Sequence, residues 1–238
     1  MTFSLNLELN FRLPQPELPS IETEYGWLWQ FAIALQRTQL PIDQWYPPAA
    51  TEKASMLNRA FDVTGPTTAA IAMANAEAST YPGTRSLGVW NGIEGKGGAV
   101  FTDLLGVGSL CSLRLRTKGV MAFTNHEAVA DIVAEATRIW PASSVQVGSF
   151  KYFSEQKVFE NRPGAGWMLY LPRVLTTAEV PEARDLIPVM EGKQQKGTII
   201  VSVIDEPFSA ANPEHVRVAN SIEIRLVDQD LLPLFTEL

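Results

Sequence analysis

Three short runs, Arg85 to Trp90, Ala99 to Leu105 and Leu110 to Arg116, follow one another with only the Gly-rich connections Asn91 to Gly98 and Gly106-Val-Gly108 between them. Parallel neighbours need a crossover of a dozen or more residues, so strands joined this tightly form an antiparallel meander. The other segments have to be arranged around that sheet. Phe3 to Leu13 places Phe3, Leu5, Leu7, Leu9 and Phe11 at alternating positions, a strand with one apolar face, and Pro14, Pro16 and Pro19 stop it. From Ile21 to Thr38, Trp27, Leu28, Phe31, Ala34 and Leu35 recur at helical spacing, with Glu22 and Glu24 near the start, where acids suit the helix dipole. Thr51 to Ala78 is Ala-rich and reads as mostly helical.

Asn125 is a good N-cap for a helix to Trp140, whose apolar stripe is Val129, Ile132, Val133, Ala136 and Trp140. Strands are expected at Ser144 to Phe150, Gly166 to Leu171 and Thr198 to Ile204, with a short helix near Pro181 to Leu186. At the end of the chain Ile222, Ile224 and Leu226 alternate as in a strand, but Val218, Ala219, Ile222 and Leu226 share a helical face. Asn212-Pro213, an N-cap followed by proline at the first helical position, favours the helix. Helices mixed with strands joined by tight turns give an α+β fold, a largely antiparallel sheet with flanking helices. One compact domain over residues 1–238 is expected, with two lobes as the other arrangement.

Hydrophobic residues are 46% and charged residues 19% of the 238, a globular composition. The N-terminus lacks the basic and continuously apolar regions of a secretory signal, and no run reaches the ~18 apolar residues of a membrane span. Cys111 is the only cysteine, which excludes an intramolecular disulfide and a cysteine-rich zinc site. A cytoplasmic location and no membrane partner are the expectation.

Motifs for chemistry fail on spacing. In Asn91-Gly-Ile-Glu-Gly-Lys-Gly-Gly98, Gly92 lies three residues before Gly95 and Lys96 is followed by glycine, so the phosphate-cradling G-x-x-x-x-G-K-[ST] order is not met. Gly106-Val-Gly108 has Cys111 where a dinucleotide fingerprint needs a small residue. Hairpin turns explain both. His126 and His215 each lie in the first turn of a helix beside a glutamate, as partly exposed surface residues would, and neither belongs to an H-x-x-x-H array. Asp228-x-Asp230 offers two carboxylates but no further cation ligands. No serine occupies a nucleophile elbow, and Cys111 among Leu110 and Leu113 reads as packing. No catalytic residue, metal site or cofactor is assigned.

Charge is distributed unevenly. Of the net charge of −7, −5 falls between Ile199 and Leu238. Within the helix, Glu214 and Glu223 are balanced by Arg217 and Arg225, which leaves the surplus on its flanks, Asp205 and Glu206 before it and Asp228, Asp230 and Glu237 after. An acid just past a helix C-terminus is disfavoured by about 0.3 to 1 kcal/mol, so helix stability does not explain Asp228 and Asp230. Such a field attracts a basic surface and repels nucleic acid. Trp45, Tyr46, Tyr81 and Trp90 could anchor an interface or fill the core. The expected partner-binding set is Asp205, Glu206, Asp228, Asp230 and Glu237, with Trp90 and Glu94.

Ile139-Trp-Pro141, Val158-Phe-Glu-Asn-Arg162, Gly166-Trp-Met-Leu-Tyr-Leu-Pro172, Gly197-Thr-Ile-Ile-Val-Ser202 and His215 through Leu226 to Leu231-Leu-Pro233 occur in an order and spacing that resembles the immunity protein 52 family. The resemblance covers mainly Trp140 to Pro233, with Arg85 to Gly98 a weaker match. It implies a non-enzymatic protein that binds and neutralises a cognate toxin. Such toxins are typically nucleases with a restriction-endonuclease-like domain, delivered by type VI or other contact-dependent secretion. No toxin-binding residues transfer from it, and nothing here sets an oligomeric state. Two other readings stand beside it at this point: a small-ligand protein or enzyme using the Gly92 to Gly98 loop or a histidine, and a structural adaptor of a secretion apparatus.

Overall fold

Alternation at the N-terminus builds β1 (Ser4–Phe11), in which Leu5, Leu7, Leu9 and Phe11 are buried on one face and Asn6, Glu8 and Asn10 occupy the other. The structure, a computed structural model, describes residues 2–77 and 83–238, so Tyr81 lies outside the described residues. After β1 come α1 (Ile21–Leu35), α2 (Glu52–Ser55), α3 (Thr68–Glu77), β2 (Thr84–Arg85), β3 (Gly88–Trp90), β4 (Gly98–Gly106) and β5 (Cys111–Lys118). Then follow α4 (His126–Ile139), β6 (Ala142–Gly148), α5 (Phe150–Glu155), β7 (Met168–Leu171), β8 (Asp185–Glu191), β9 (Gln194–Val201) and α6 (Pro213–Asp228).

Among the described residues the nine strands form one antiparallel sheet in the order β2-β4-β5-β1-β6-β7-β9-β8, with β3 also pairing β4. The N-terminal strand is therefore central. It pairs with β5 on one side, Glu8 opposite Arg114, and with β6 on the other, Glu8 opposite Gln146. The result is the expected α+β fold in a single compact domain.

The inner face collects Leu7, Leu9, Phe101, Leu113, Leu115, Val145 and Val147, all buried. On it Phe31 of α1 meets Phe101 edge-on at 5.3 Å and Trp140 at 5.7 Å. Helices α1, α4 and α6 begin on side-chain caps: Ser20 Oγ accepts from the Thr23 amide at 3.2 Å, Asn125 Oδ1 from Ala128 at 2.9 Å, and Asn212 Oδ1 from Glu214 at 3.0 Å ahead of Pro213.

A buried carboxylate pair interrupts the inner face. Asp103 of β4 and Glu24 of α1 are both fully buried, and Arg85 pairs with Glu24. Burial, then the neighbouring Glu24 carboxylate, holds the Asp103 carboxyl well above its usual range, while its Oδ1 accepts from the Leu87 amide at 2.8 Å. Burial raises Glu24 as well, opposed by Arg85. The shift is the larger at Asp103, because Arg85 bonds Glu24 directly and favours its charged form.

The structure departs from expectation in three segments. Of Thr51 to Ala78, whose last residue lies outside the described residues, the described part is helical only at α2 and α3, because Asp62 gathers the Thr64 and Gly65 amides at 2.7 and 3.1 Å into a turn ahead of Pro66. Pro181 to Leu186 is not a helix but a turn running into β8, an edge strand that tolerates Pro188. The strand from Ser144 ends at Gly148, since Ser149 Oγ accepts from the Tyr152 amide at 3.2 Å and starts α5 at Phe150.

Candidate functional site

The outer face of the sheet is assembled from cross-strand rows. One runs Trp90, Val100, Arg116, Asn6, Gly148; the next runs Gly88, Thr102, Arg114, Glu8, Gln146; a third runs Leu104, Ser112, Asn10, Ser144. From β3 to β6 these rows pass from solvent to interior: Leu104, Arg114 and Arg116 are exposed, Asn10, Ser144 and Gln146 buried.

Over β4, β5 and β1 the face is open as a groove of about 590 Å³, with Phe150 and Phe153 of α5 on its far wall. It continues past Asn6 and Arg116 into a shallower hollow with Trp90, Ile93 and Lys118. Trp90 also walls a third hollow that Glu94 edges. The apolar rim is bare: Phe150 is 74% exposed, Leu104 43% and Ile93 43%.

The cations here differ in what they touch. Arg114 donates to Glu8 Oε1 through Nε and Nη2 at 2.9 and 2.7 Å, and Gln146 Nε2 donates to Glu8 Oε2 at 3.0 Å. Lys157 Nζ donates to the carbonyls of Glu160 and Arg162 at 2.9 and 3.0 Å and sits 5.1 Å from the Phe235 ring centre. Burial holds its pKa below the usual lysine value. Arg116 and Lys118, both exposed, have no side-chain partner among the described residues.

At the closed end Glu223 of α6 is fully buried. Its Oε1 accepts from Tyr152 Oη at 2.5 Å and the Ala165 amide at 2.8 Å, and its Oε2 from the Val158 amide at 2.8 Å. Burial raises the Glu223 pKa, and these donors oppose that shift by favouring the charged form. Burial likewise pushes the Tyr152 hydroxyl far up, so it stays a donor. Phe153 lies over the sheet here because Gly148 lacks a side chain, and a Cβ there would stand 3.1 Å from Phe153 Cζ.

The seven expected partner-binding residues fall in separate places. Trp90 and Glu94 converge on the β3–β4 end of the open face, where Trp90 Nε1 donates to Ser55 Oγ at 2.7 Å. Asp205 and Glu206 are exposed ahead of α6. Asp228 is exposed at its last position and Asp230 and Glu237 beyond it, and α6 at 16 residues puts roughly 24 Å between its ends. Glu237 accepts from the Leu234 amide at 2.7 Å.

Several residue-level expectations change. Glu223 does not balance Arg225 on the surface; Arg225 pairs with Glu182 at 2.8 Å, while Arg217 does pair with Glu214 at 2.6 Å. Asp230 has a local cause, since it adopts φ 56° just after the helix, a left-handed position that Asp tolerates better than most residues, and the Leu231 amide closes back on the Leu226 carbonyl at 2.8 Å. His215 is 7% exposed rather than a surface residue. Its Nδ1 accepts from the Ser209 amide at 3.1 Å and its Nε2 donates to Glu206 at 3.0 Å, which commits both nitrogens to holding the loop before α6. His126 is half-buried. Trp45 is a core residue, and Tyr46 bridges to Trp90 through paired backbone bonds at 2.9 and 3.1 Å.

The Gly92 to Gly98 loop is the β3–β4 hairpin, in which Asn91 Nδ2 donates to the Gly97 carbonyl at 2.9 Å and its Oδ1 accepts from the Ala99 amide at 2.9 Å. Cys111 is buried. Among the described residues no group of His, Cys, Asp and Glu is placed to hold a metal ion, and no helix is long and apolar enough to cross a membrane. Sequence reasoning passed over Leu104, Arg114, Arg116 and Phe150. The alternation of Leu113 and Leu115 with Arg114 and Arg116 was the available signal.

Comparison with known proteins places the chain. Among solved structures a T6SS protein of Pseudomonas aeruginosa matches with a TM-score of 0.52 and 11% sequence identity, over 93% of this chain and 73% of that one, a likeness of fold. No curated protein sequence matches. The model of the family described as immunity protein 52 matches residues 30–234, nearly the whole chain from α1 to beyond α6. The chain belongs to the immunity protein 52 family.

Proposed function

We propose that this protein neutralises a cognate toxin by binding it stoichiometrically in the cytoplasm, and that the toxin is a nuclease effector delivered by type VI or another contact-dependent secretion route. The family match across residues 30–234 carries this reading. The fold shared with a T6SS protein of Pseudomonas aeruginosa supports the delivery route. Inhibition by occlusion asks for surface rather than reacting groups. A standard interface takes about 800 Å² per partner, a small part of the 11621 Å² accessible here.

Charge supports a nuclease partner. A cleft that binds a polyanion is basic, and a protein of net charge −7 is drawn to it. The acids at the two ends of α6, Asp205, Glu206, Asp228 and Asp230, serve as steering charges, because their separation fits a field better than a single contact patch.

Co-expression with the toxin encoded beside its own gene tests the function. Growth should be rescued and the two proteins should co-elute in fixed ratio; undiminished toxicity at excess of this protein sinks the reading. Reversing the four steering acids to lysine should slow association more at low salt than at high salt, and equal slowing at both rejects steering.

A further inference from the structure

We infer that the open outer face over β4, β5 and β1 is the toxin-contacting surface, and that its occupant is a protein patch presenting a carboxylate to Arg116 within an apolar frame. This rests on the immunity reading above and adds to it the surface and the chemistry of the contact.

Three observations converge. First, the outer face at the middle of the sheet is concave rather than flat: Asn6 and Glu8 of β1, hydrogen-bonded to strands on both sides, line a groove of about 590 Å³ walled on one side by α5. Second, Leu104 and Phe150 are bare on opposite walls of that groove, and Trp90 flanks its extension. Arginine, tryptophan and exposed apolar side chains in one concave surface are the composition of interface hot spots.

Third, the charges of this face are unequally compensated. Arg114 is satisfied by Glu8 and Lys157 by two backbone carbonyls, which leaves Arg116 and Lys118 as the cations with no partner there among the described residues. Arg116 sits between Val100 and Asn6 in its row, one apolar and one neutral neighbour, so its guanidinium fork is free for a bidentate carboxylate. Covering it without an anion would strand a desolvated charge. A carboxylate supplied by the partner removes that penalty. A nucleic acid strand could use the same arginine and aromatics, but the chain's net charge of −7 opposes a polyanion.

The test uses the full-length protein and a catalytically inactivated form of the toxin encoded beside its gene. Arg116→Glu should weaken binding about 30-fold or more and Leu104→Arg should do likewise, both with unchanged melting temperature. Arg116→Lys should fall between wild type and Arg116→Glu, since it keeps the charge and loses the fork. Lysine at Asp228 and Asp230 should leave the dissociation rate unchanged. If wild type protects cells and Arg116→Glu and Leu104→Arg both bind within about twofold of it, this surface is wrong and the immunity reading survives. If wild type neither binds nor protects, the immunity reading fails and takes the surface with it. Binding of a labelled single-stranded oligonucleotide at physiological salt that is lost in Arg116→Glu overturns the protein partner.

Discussion

The same rows of outward side chains cross two regions of the sheet that obey opposite rules. At the closed end, under α5 and α6, the polar groups of the sheet face and Glu223 are paired: both oxygens of Glu223 accept hydrogen bonds, and Gln146 donates to Glu8 while accepting from the Gly164 amide at 2.9 Å. At the open end Arg116 has no partner among the described residues, and Phe150 and Leu104 face solvent. Burial explains the first region, because an unpaired polar group out of water costs about 1 to 3 kcal/mol. Nothing among the described residues covers the second, and that is why it is the region to test for a partner. The contrast locates stability at one end of the face and recognition at the other.

The sharpest way to break this division is Glu223→Ala. Three donors lose their acceptor in a buried site, so urea denaturation should show a loss of about 3 kcal/mol. A loss below about 1 kcal/mol would mean that the closed end is not the stability centre. Gly166→Ala comes next. The added methyl would stand 2.6 Å from the Val147 carbonyl oxygen and 2.9 Å from Phe153 Cζ, at φ 47°, and should cost about 2 kcal/mol.

The buried carboxylate pair gives a pH test. Asp103 is held well above 3.8, so between 3.8 and its folded value the native state binds more protons than the unfolded chain. Its stabilising contribution is present below 3.8 and is lost as pH rises through the folded value. Glu24 and Glu223 are shifted in the same direction. Asp103→Asn is neutral at every pH, so its melting temperature minus that of wild type should increase as pH rises from 4 to the folded Asp103 value and level off above it. A difference that is flat or falls from pH 4 upward contradicts the raised Asp103 carboxyl.

The smallest stability effect belongs to the open end. Phe150→Ser, at a side chain 74% exposed, should change unfolding free energy by less than about 0.5 kcal/mol while weakening toxin binding measurably. If it destabilises the fold as much as Gly166→Ala, the two regions are not separable.

Sequence alone was sufficient for the elements whose signals are local. The alternation of Leu5, Leu7, Leu9 and Phe11, the cap at Asn125 and the Asn212-Pro213 start each specify an element within a few residues, and the structure contains all three. The α+β class followed from connections too short for crossovers. Weak local signals were misread. Asp185–Glu191 is an edge strand interrupted by Pro188 with only Val189 buried, and α5 owes its start to one serine hydroxyl.

The candidate site was less legible, for a definite reason. Arg114 and Arg116 alternate with Leu113 and Leu115, so the sequence already says that β5 has a polar face. Whether that face is covered depends on which strand lies beside it, and Glu8 meets Arg114 across a separation of 106 residues. The charge pattern was legible as composition but misleading as geometry: Glu223 entered the interior, Arg225 turned to Glu182, and the five acidic positions were spread to the two ends of α6. What the chain determined by itself was its periodicity, its caps and its excess of acid, all properties of neighbours in sequence. Tertiary structure alone decided that β1 lies at the centre, that one half of its polar face is sealed and the other open, and which cations find no partner among the described residues, because each depends on contacts between segments far apart in the chain.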